Sequence, residues 1–396
     1  MFFCPKKPMT TLNNILDFTG GNRFYRFGNA DGKYWIVPAR GMRTALNLYQ
    51  PSGIKGKMVK ALLPCLHRIA PVRKAIKAES VNCRLNSELH SLLCKVFHVQ
   101  DIEFAIFEGT PSVHQKITMQ LSHGSHILGY CKLSDSDDIK ALFEKESAML
   151  NLLAKKGITN IPQVLYCGTL GSGTHIFVQS TEKKASSKVI HEWEGMHDEF
   201  SRMLQEKTKV VLPFEKSEYY NTITELEQHL DWLPTNIDRN VVAKAIENIK
   251  ESYCGKETEF CAYHGDFTPW NMFANGKELF VFDFEYAAMS YPVGLDRYHF
   301  FTQTAVFERH WSVDEISTYM ESNAGRWIDK ELYAMYLLDV ISRFTMREGG
   351  IVTSEAAKPF ALWGNFCIAL ARRVSIWAQS KQTVLFSIIS CVFLNI

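Results

Sequence analysis

Tyr263-His264-Gly265-Asp266-Phe267-Thr268-Pro269-Trp270-Asn271, followed shortly by Val281-Phe282-Asp283-Phe284-Glu285-Tyr286, is the stretch on which the reading of this chain turns. An Asp is followed five residues later by an Asn, and twelve residues beyond that by a second Asp that ends an apolar run. Between them, residues 272–282 read as strand, turn and strand, with Asn275-Gly276 as a favoured two-residue hairpin turn. Such a hairpin brings Asn271 and Asp283 to the same end, side by side. Gly265 before Asp266 and Pro269 after it hold that carboxylate in a loop.

Taken singly, each of these residues has a plain reading: a turn Asp, a helix-capping Asn, the exit of a strand. Their ordered spacing, downstream of a strand-rich stretch, points elsewhere. An amide oxygen and a carboxylate are hard donors suited to a divalent cation. A carboxylate within hydrogen-bond reach of a hydroxyl can take its proton. Transfer of a phosphoryl group from a nucleotide asks for little more, because its loose transition state leaves the protein mainly positioning and electrostatics to supply. Asp266 is therefore the candidate base, and Asn271 and Asp283 are the candidate Mg²⁺ ligands.

Upstream, apolar alternation between turn-forming residues predicts strands over 102–107, 113–121, 127–133, 164–167 and 175–178, with a helix over 139–155. The Gly168–Gly173 run lacks the Lys-Ser/Thr of a Walker loop and opens no helix, so it reads as a hairpin turn. His123 and His126 have no metal-ligand partners nearby and also read as turn residues. From 182 onward helical periodicity dominates, over 215–232, 239–253, 313–323, 330–347 and 355–380. These segments divide the chain into 1–100, a small lobe at 101–181 and a helical lobe at 182–396.

The first hundred residues stand apart in charge. They hold 16 Lys or Arg against 4 Asp or Glu, although the whole chain has a net charge of only +2. That asymmetry predicts a basic module facing something anionic, such as a membrane or an anionic glycan, or merely a solvated basic face. The stretch from Lys55 to Lys77 partly follows helical spacing. It fits either a helix packed on its own domain or one lying on a membrane surface. Ten scattered cysteines without a C-x-x-C pair, and no signal-peptide pattern at Met1-Phe2-Phe3-Cys4, predict a cytoplasmic protein with peripheral membrane contact as an option. The apolar run 384–396 is too short to span a bilayer as a straight helix and reads as a docked segment or an interfacial anchor. No zinc spacing, esterase triad or nucleic-acid-binding pattern stands out.

H-G-D-F-T-P-W-N followed by F-D-F-E-Y resembles the catalytic motif of the aminoglycoside phosphotransferase and choline kinase superfamily, and Tyr291-Pro292-Val293-Gly294-Leu295-Asp296 extends the likeness. The resemblance implies an α+β, bilobal protein-kinase-like fold. Its small lobe would be five-stranded, its large lobe mainly helical, with the basic N-terminal module as an extra part. It implies ATP and Mg²⁺ as cofactors, Asp266 as catalytic base, Asn271 and Asp283 on the metal, and Asp296 bracing the catalytic loop. Lys132, in the third strand of the small lobe, would hold the α- and β-phosphates. Glu146, on the following helix, would orient that lysine, its offset from Gly157 favouring it over Glu144. The phosphate loop would run from Gly109 to Val113, with one glycine and Ser112 in place of a full G-x-G-x-x-G. Gln179 and Thr181 would belong to the hinge that pairs with adenine.

The expected activity is transfer of the γ-phosphate to a hydroxyl of a small molecule: choline-like or ethanolamine-like, an amino sugar or another sugar. Trp270, Glu285 and Tyr286 suggest an acidic, aromatic wall for a cationic acceptor, while the basic first hundred residues argue for an anionic one. The alternative is a pseudokinase or nucleotide-binding scaffold docking through its basic module. A membrane-surface adaptor using residues 55–77 and the apolar tail is a third.

Overall fold

The computed structural model describes residues 10–29, 32–51, 54–109, 115–235 and 237–349. They fall into two compact units, one running to Lys155 and over Thr159–Lys188, the other comprising Lys156–Ile158 and the residues from Val189 on.

The first unit is built on one sheet. Its strands are β1 (Leu16–Gly28), β2 (Tyr34–Pro38), β3 (Glu79–Leu85), β4 (Glu103–Glu108), β5 (Ile117–His123), β6 (His126–Ser134), β7 (Val164–Thr169) and β8 (His175–Ser180). They lie in the order β3-β1-β2-β4-β5-β6-β8-β7, every neighbouring pair antiparallel. The five strands expected between 101 and 181 are contiguous at one end. The expected separate module at 1–100 is not what forms, because β1, β2 and β3 extend the same sheet and Ile36 pairs in register with Ile106. Burial on both faces explains the merger. Phe24, Ile36, Phe104 and Ile106 enter one core, while Tyr25, Phe27, Trp35, Val37 and Ala105 enter another on the opposite face. The short apolar run at residues 34–37 reads as a strand in the sequence, but β1 carries no regular alternation to announce it, and a register shift between Asp17 and Asn22 breaks it further.

Helices α1 (Thr10–Ile15), α2 (Met42–Ala45), α3 (Ile54–Leu66), α4 (Ala70–Ala75), α5 (Ser87–Phe97) and α6 (Asp137–Lys155) complete this unit. The Asn86 side chain caps α5 by accepting from the Leu89 N–H at 2.8 Å, and Leu89 and Leu93 bury its inner face. In α6 the buried residues are Ile139, Phe143, Glu146, Met149, Leu150 and Leu153. Glu146 thus occupies a position whose spacing belongs to the core, and its carboxylate must find a partner there.

The second unit carries α7 (Gly195–Thr208), β9 (Val210–Pro213), α8 (Glu218–Gln228), α9 (Arg239–Tyr253), β10 (Glu257–Tyr263), β11 (Met272–Asn275), β12 (Glu278–Val281), β13 (Ala288–Pro292), α10 (Leu295–Gln303), α11 (Val313–Glu321) and α12 (Lys330–Glu348). β13, β10 and β9 form a three-stranded sheet, and β11 and β12 form a hairpin. Tyr219, Ile223, Val242, Ile246, Tyr333 and Tyr336 are central to the core under the helices. The helices expected over 215–232, 239–253, 313–323 and 330–347 appear within a few residues of those bounds. α10 was not expected, and burial explains that too: all its residues but Arg297 are buried, so no polar stripe marks it. The helix expected over 355–380 and the apolar run 384–396 lie outside the described residues. No described helix is long and apolar enough to cross a membrane.

The hairpin forms, with its turn one residue later than expected. Asn275 pairs with Glu278, so Gly276 and Lys277 close the loop, and Gly276 takes φ 66° at the first central position, where a type II′ turn favours glycine.

Ile36 is 2% exposed. Ile36→Ala is expected to cost about 2–5 kcal/mol, read as a lowered urea midpoint of the sheet-bearing unit. A loss of no more than about 0.5 kcal/mol would mean that residues 16–85 fold apart from the rest of the sheet.

Candidate active site

β10 delivers the chain into the loop that carries Asp266, and three contacts fix its path. Gly265 turns at φ 82°, and a Cβ there would meet the Tyr286 carbonyl oxygen at 2.7 Å, so only glycine allows this approach. The Asp296 carboxylate, in the first turn of α10, accepts from the N–H groups of His264 at 2.9 Å and Gly265 at 3.1 Å. From α12, the Arg343 guanidinium donates to the Gly265 carbonyl and pairs with Asp339, whose carboxylate also accepts from the Tyr263 hydroxyl at 3.0 Å.

Burial pushes Asp296 up to about 7, against the pull of the two N–H groups and of Arg343. Burial also works against the Arg343 charge, but Asp339 and the neighbouring tyrosines outweigh it and hold the guanidinium protonated. His264 is fully buried and neutral, its pKa lowered by that burial to about 4. Its Nδ1 accepts from the Asp266 N–H at 3.1 Å, so Nε2 carries the proton and donates to the Phe282 carbonyl at 3.1 Å. This single ring ties the Asp266 loop to the exit of β12.

Asp266 holds both of its oxygens in defined bonds. The Asn271 amide nitrogen donates to Oδ2 at 2.6 Å and to the Asp266 carbonyl at 3.0 Å, and His299 Nε2 donates to Oδ1 at 2.9 Å. Burial alone would raise the Asp266 pKa. The His299 bond and charge outweigh it, so the group lies below its ordinary value, with Asp283 opposing. Its side chain remains 29% exposed.

Asn271 ends a 3₁₀ turn (Pro269–Asn271), and its carbonyl accepts from the Phe282 N–H at 2.9 Å, next in the ladder after Met272 and Val281. The hairpin therefore brings Asn271 and Asp283 to one end, and Asp283 is close enough to act electrostatically on Asp266 and His264. Asp283 takes φ 73°, a left-handed conformation unusual outside glycine. It lies between Phe282, whose ring is tilted against Phe273, and the fully buried Phe284, which packs edge-on against His264. Glu285 is buried, and Tyr286 lies under the Arg343 guanidinium.

In the first unit, Lys132 of β6 and Glu146 of α6 form a two-pronged ion pair, with Nζ at 2.9 Å from Oε1 and 2.7 Å from Oε2. Both side chains are buried, whereas Glu144 is 60% exposed on the outer face of α6. Gln179 lies inside β8 with β6 on one side and β7 on the other, so its backbone belongs to the sheet. The chain leaves the ladder after Ser180, and Thr181 is the first residue outside it. The Gly109 carbonyl accepts from the Gln115 amide at 2.8 Å. Ser112 and the rest of the expected phosphate loop after Gly109, residues 110–113, lie outside the described residues.

His299, Arg343 and Asp339 were not singled out from the sequence. His299 follows Asp296 by three residues, and that helical offset is the one available signal for it. Nothing local marks Arg343, which reaches the loop from a helix 78 residues beyond Gly265.

No protein-family model matches the chain, and no curated protein sequence does. Solved structures similar to it include a choline/ethanolamine kinase family protein from Mesorhizobium loti, 15% identical over 69% of this chain and 89% of that one, with a TM-score of 0.41. A putative fructosamine-3-kinase from Haemophilus somnus is 12% identical over 71% of this chain and 97% of that one, with a TM-score of 0.42. An aminoglycoside phosphotransferase from Streptomyces rimosus, in complex with ADP and streptomycin, is 16% identical over 57% and 90%, with a TM-score of 0.35.

The His264 shift carries a pH prediction. Its folded pKa of about 4 lies below the ordinary 6.5, so the unfolded chain binds the extra proton between those values. The stabilisation is complete above pH 6.5 and is lost as pH falls through about 4, by roughly 3 kcal/mol. Urea unfolding at neutral and acidic pH should show a steeper loss in the native protein than in His264→Gln.

Proposed function

We propose that this chain is an ATP- and Mg²⁺-dependent phosphotransferase that moves the γ-phosphate to a hydroxyl of a small molecule. The observation that carries the reading is the convergence of Asp266, Asn271 and Asp283 at one loop and one hairpin end, with both oxygens of Asp266 held by Asn271 and His299. In this reading Asp266 receives the acceptor hydroxyl and takes its proton. Because His299 lowers its proton affinity, its principal work is to orient the hydroxyl and accept the proton late, as a loose transition state requires.

The donor set fits Mg²⁺. Asn271 commits its amide nitrogen to Asp266, leaving the amide oxygen for a cation, and Asp283 supplies an anionic oxygen at the same hairpin end. When bound, Mg²⁺ would offset the charge of the phosphate oxygens. Lys132 would hold the α- and β-phosphates, with Glu146 fixing its ammonium. Gly109 and Ser112 would line the phosphate loop, and Thr181 rather than Gln179 would offer free backbone to the adenine.

An acceptor with a cationic or amino-bearing face is favoured by two aromatic rings. Trp270, immediately before Asn271, is 39% exposed and Phe307 is 47% exposed, and their rings meet edge to face at 6.3 Å. Phe307 lies in a π-helical turn (Thr304–Glu308) that continues α10, an irregularity frequent at functional sites.

A metabolite pool incubated with γ-labelled ATP, with the product identified by mass, should reveal an acceptor. Turnover with that acceptor is expected to fall about 10²–10⁴-fold in Asp266→Ala and in Asp283→Ala, with the melting transition retained. Turnover surviving in both variants would reject the assignment.

His299→Ala removes the bond that lowers the Asp266 pKa, so burial should then raise it. The acid limb of the kcat profile is expected to move to higher pH; an unmoved limb would separate His299 from the proton transfer.

A further inference from the structure

α3 carries a stripe of apolar side chains that its own unit leaves in water. Ile54 is 79% exposed, Met58 55% and Leu62 48%, at steps of four residues, and Ile69 just beyond the helix is 47% exposed. At about 100° per residue these three share one face, and the exposed Ala61 and Cys65 fall on it as well. Lys55 and Lys57 flank the stripe, one on each side. The opposite side of α3 is docked through Leu63, the one buried residue of the helix at 2% exposed, which with the partly buried Val59 packs into the core formed by Tyr25, Phe27 and Trp35. The stripe is therefore presented by a seated helix.

The charge around it has one sign. Residues 54–77 hold seven Lys or Arg and no Asp or Glu. Lys55, Lys57, Arg68, Lys74 and Lys77 are exposed, and none forms an ion pair among the described residues. α4 has no buried residue at all.

We propose that α3 and α4 dock this unit on an anionic phospholipid surface. Ile54, Met58, Leu62 and Ile69 enter the boundary between headgroups and acyl chains, while the flanking lysines keep their ammonium groups at the lipid phosphates. Charge selects this occupant over the others. A second copy of the chain would bring the same cations to the face. Residues 351–396, though apolar, carry four Lys or Arg against one Glu and would be repelled likewise. A nucleic acid would satisfy the cations but leave the aliphatic stripe in water. The docking stands apart from the phosphotransfer reading and does not need it.

The full chain is mixed with sucrose-loaded phosphatidylcholine vesicles, with or without phosphatidylserine, and sedimented. It is expected to pellet with the phosphatidylserine vesicles, to be released by high salt, and to stay in solution with phosphatidylcholine alone. Met58→Glu/Leu62→Glu should weaken binding roughly tenfold or more, and Lys55→Glu/Lys57→Glu about fivefold per lysine replaced. All four positions are on the surface, so the melting transition should be unchanged. Three results would overturn the proposal: no pelleting with acidic vesicles, pelleting indifferent to Met58→Glu/Leu62→Glu, or a stripe that proves to mediate RNA binding or dimerisation in the absence of vesicle binding.

Discussion

A buried carboxylate on the first turn of α10 holds the loop before Asp266 in shape. Asp296 accepts from two consecutive backbone N–H groups, those of His264 and Gly265, just where the chain leaves β10 and turns at positive φ. Taking that charge out of water is costly, and its raised pKa expresses the cost. Arg343, itself paired with Asp339, offsets part of it and grips the Gly265 carbonyl from the other side. With Gly265 held at both its N–H and its C=O, Asp266 has little freedom except in its side chain, and Asn271 and His299 remove most of that.

The same logic recurs in the sheet-bearing unit. Lys132 and Glu146 are both buried, where a pair of hydrophobic side chains of similar volume would often stabilise at least as well. Charges buried at such cost make sense where a positioned ammonium has work to do. His264 is a third instance, a polar ring kept neutral so that it can accept from the loop on one edge and donate to the hairpin exit on the other.

Much of this was legible in local pattern. The H-G-D and Asn residues, the strand-turn-strand between 272 and 282, and Glu146 within the apolar stripe of α6 all write their geometry into short spacings. β1 and α10 did not, because segments buried on both faces lose the alternation that marks a surface. The shift of the turn from Asn275-Gly276 to Gly276-Lys277 has another cause. Register is set by which side chains of β11 and β12 reach the core, and the paired Phe273 and Phe280, both buried, decide it.

The sequence alone determined which groups could do chemistry, since carboxylate, amide and ammonium identities and their short-range order are fixed by covalent connectivity. Tertiary structure alone decided which of them meet. His299 reaches Asp266 across 33 residues, Arg343 reaches Gly265 across 78, and Lys132 finds Glu146 only because α6 packs its stripe on β8, the neighbour of β6 in the sheet. Those meetings depend on where apolar faces bury, a property of the whole unit that no window of sequence contains.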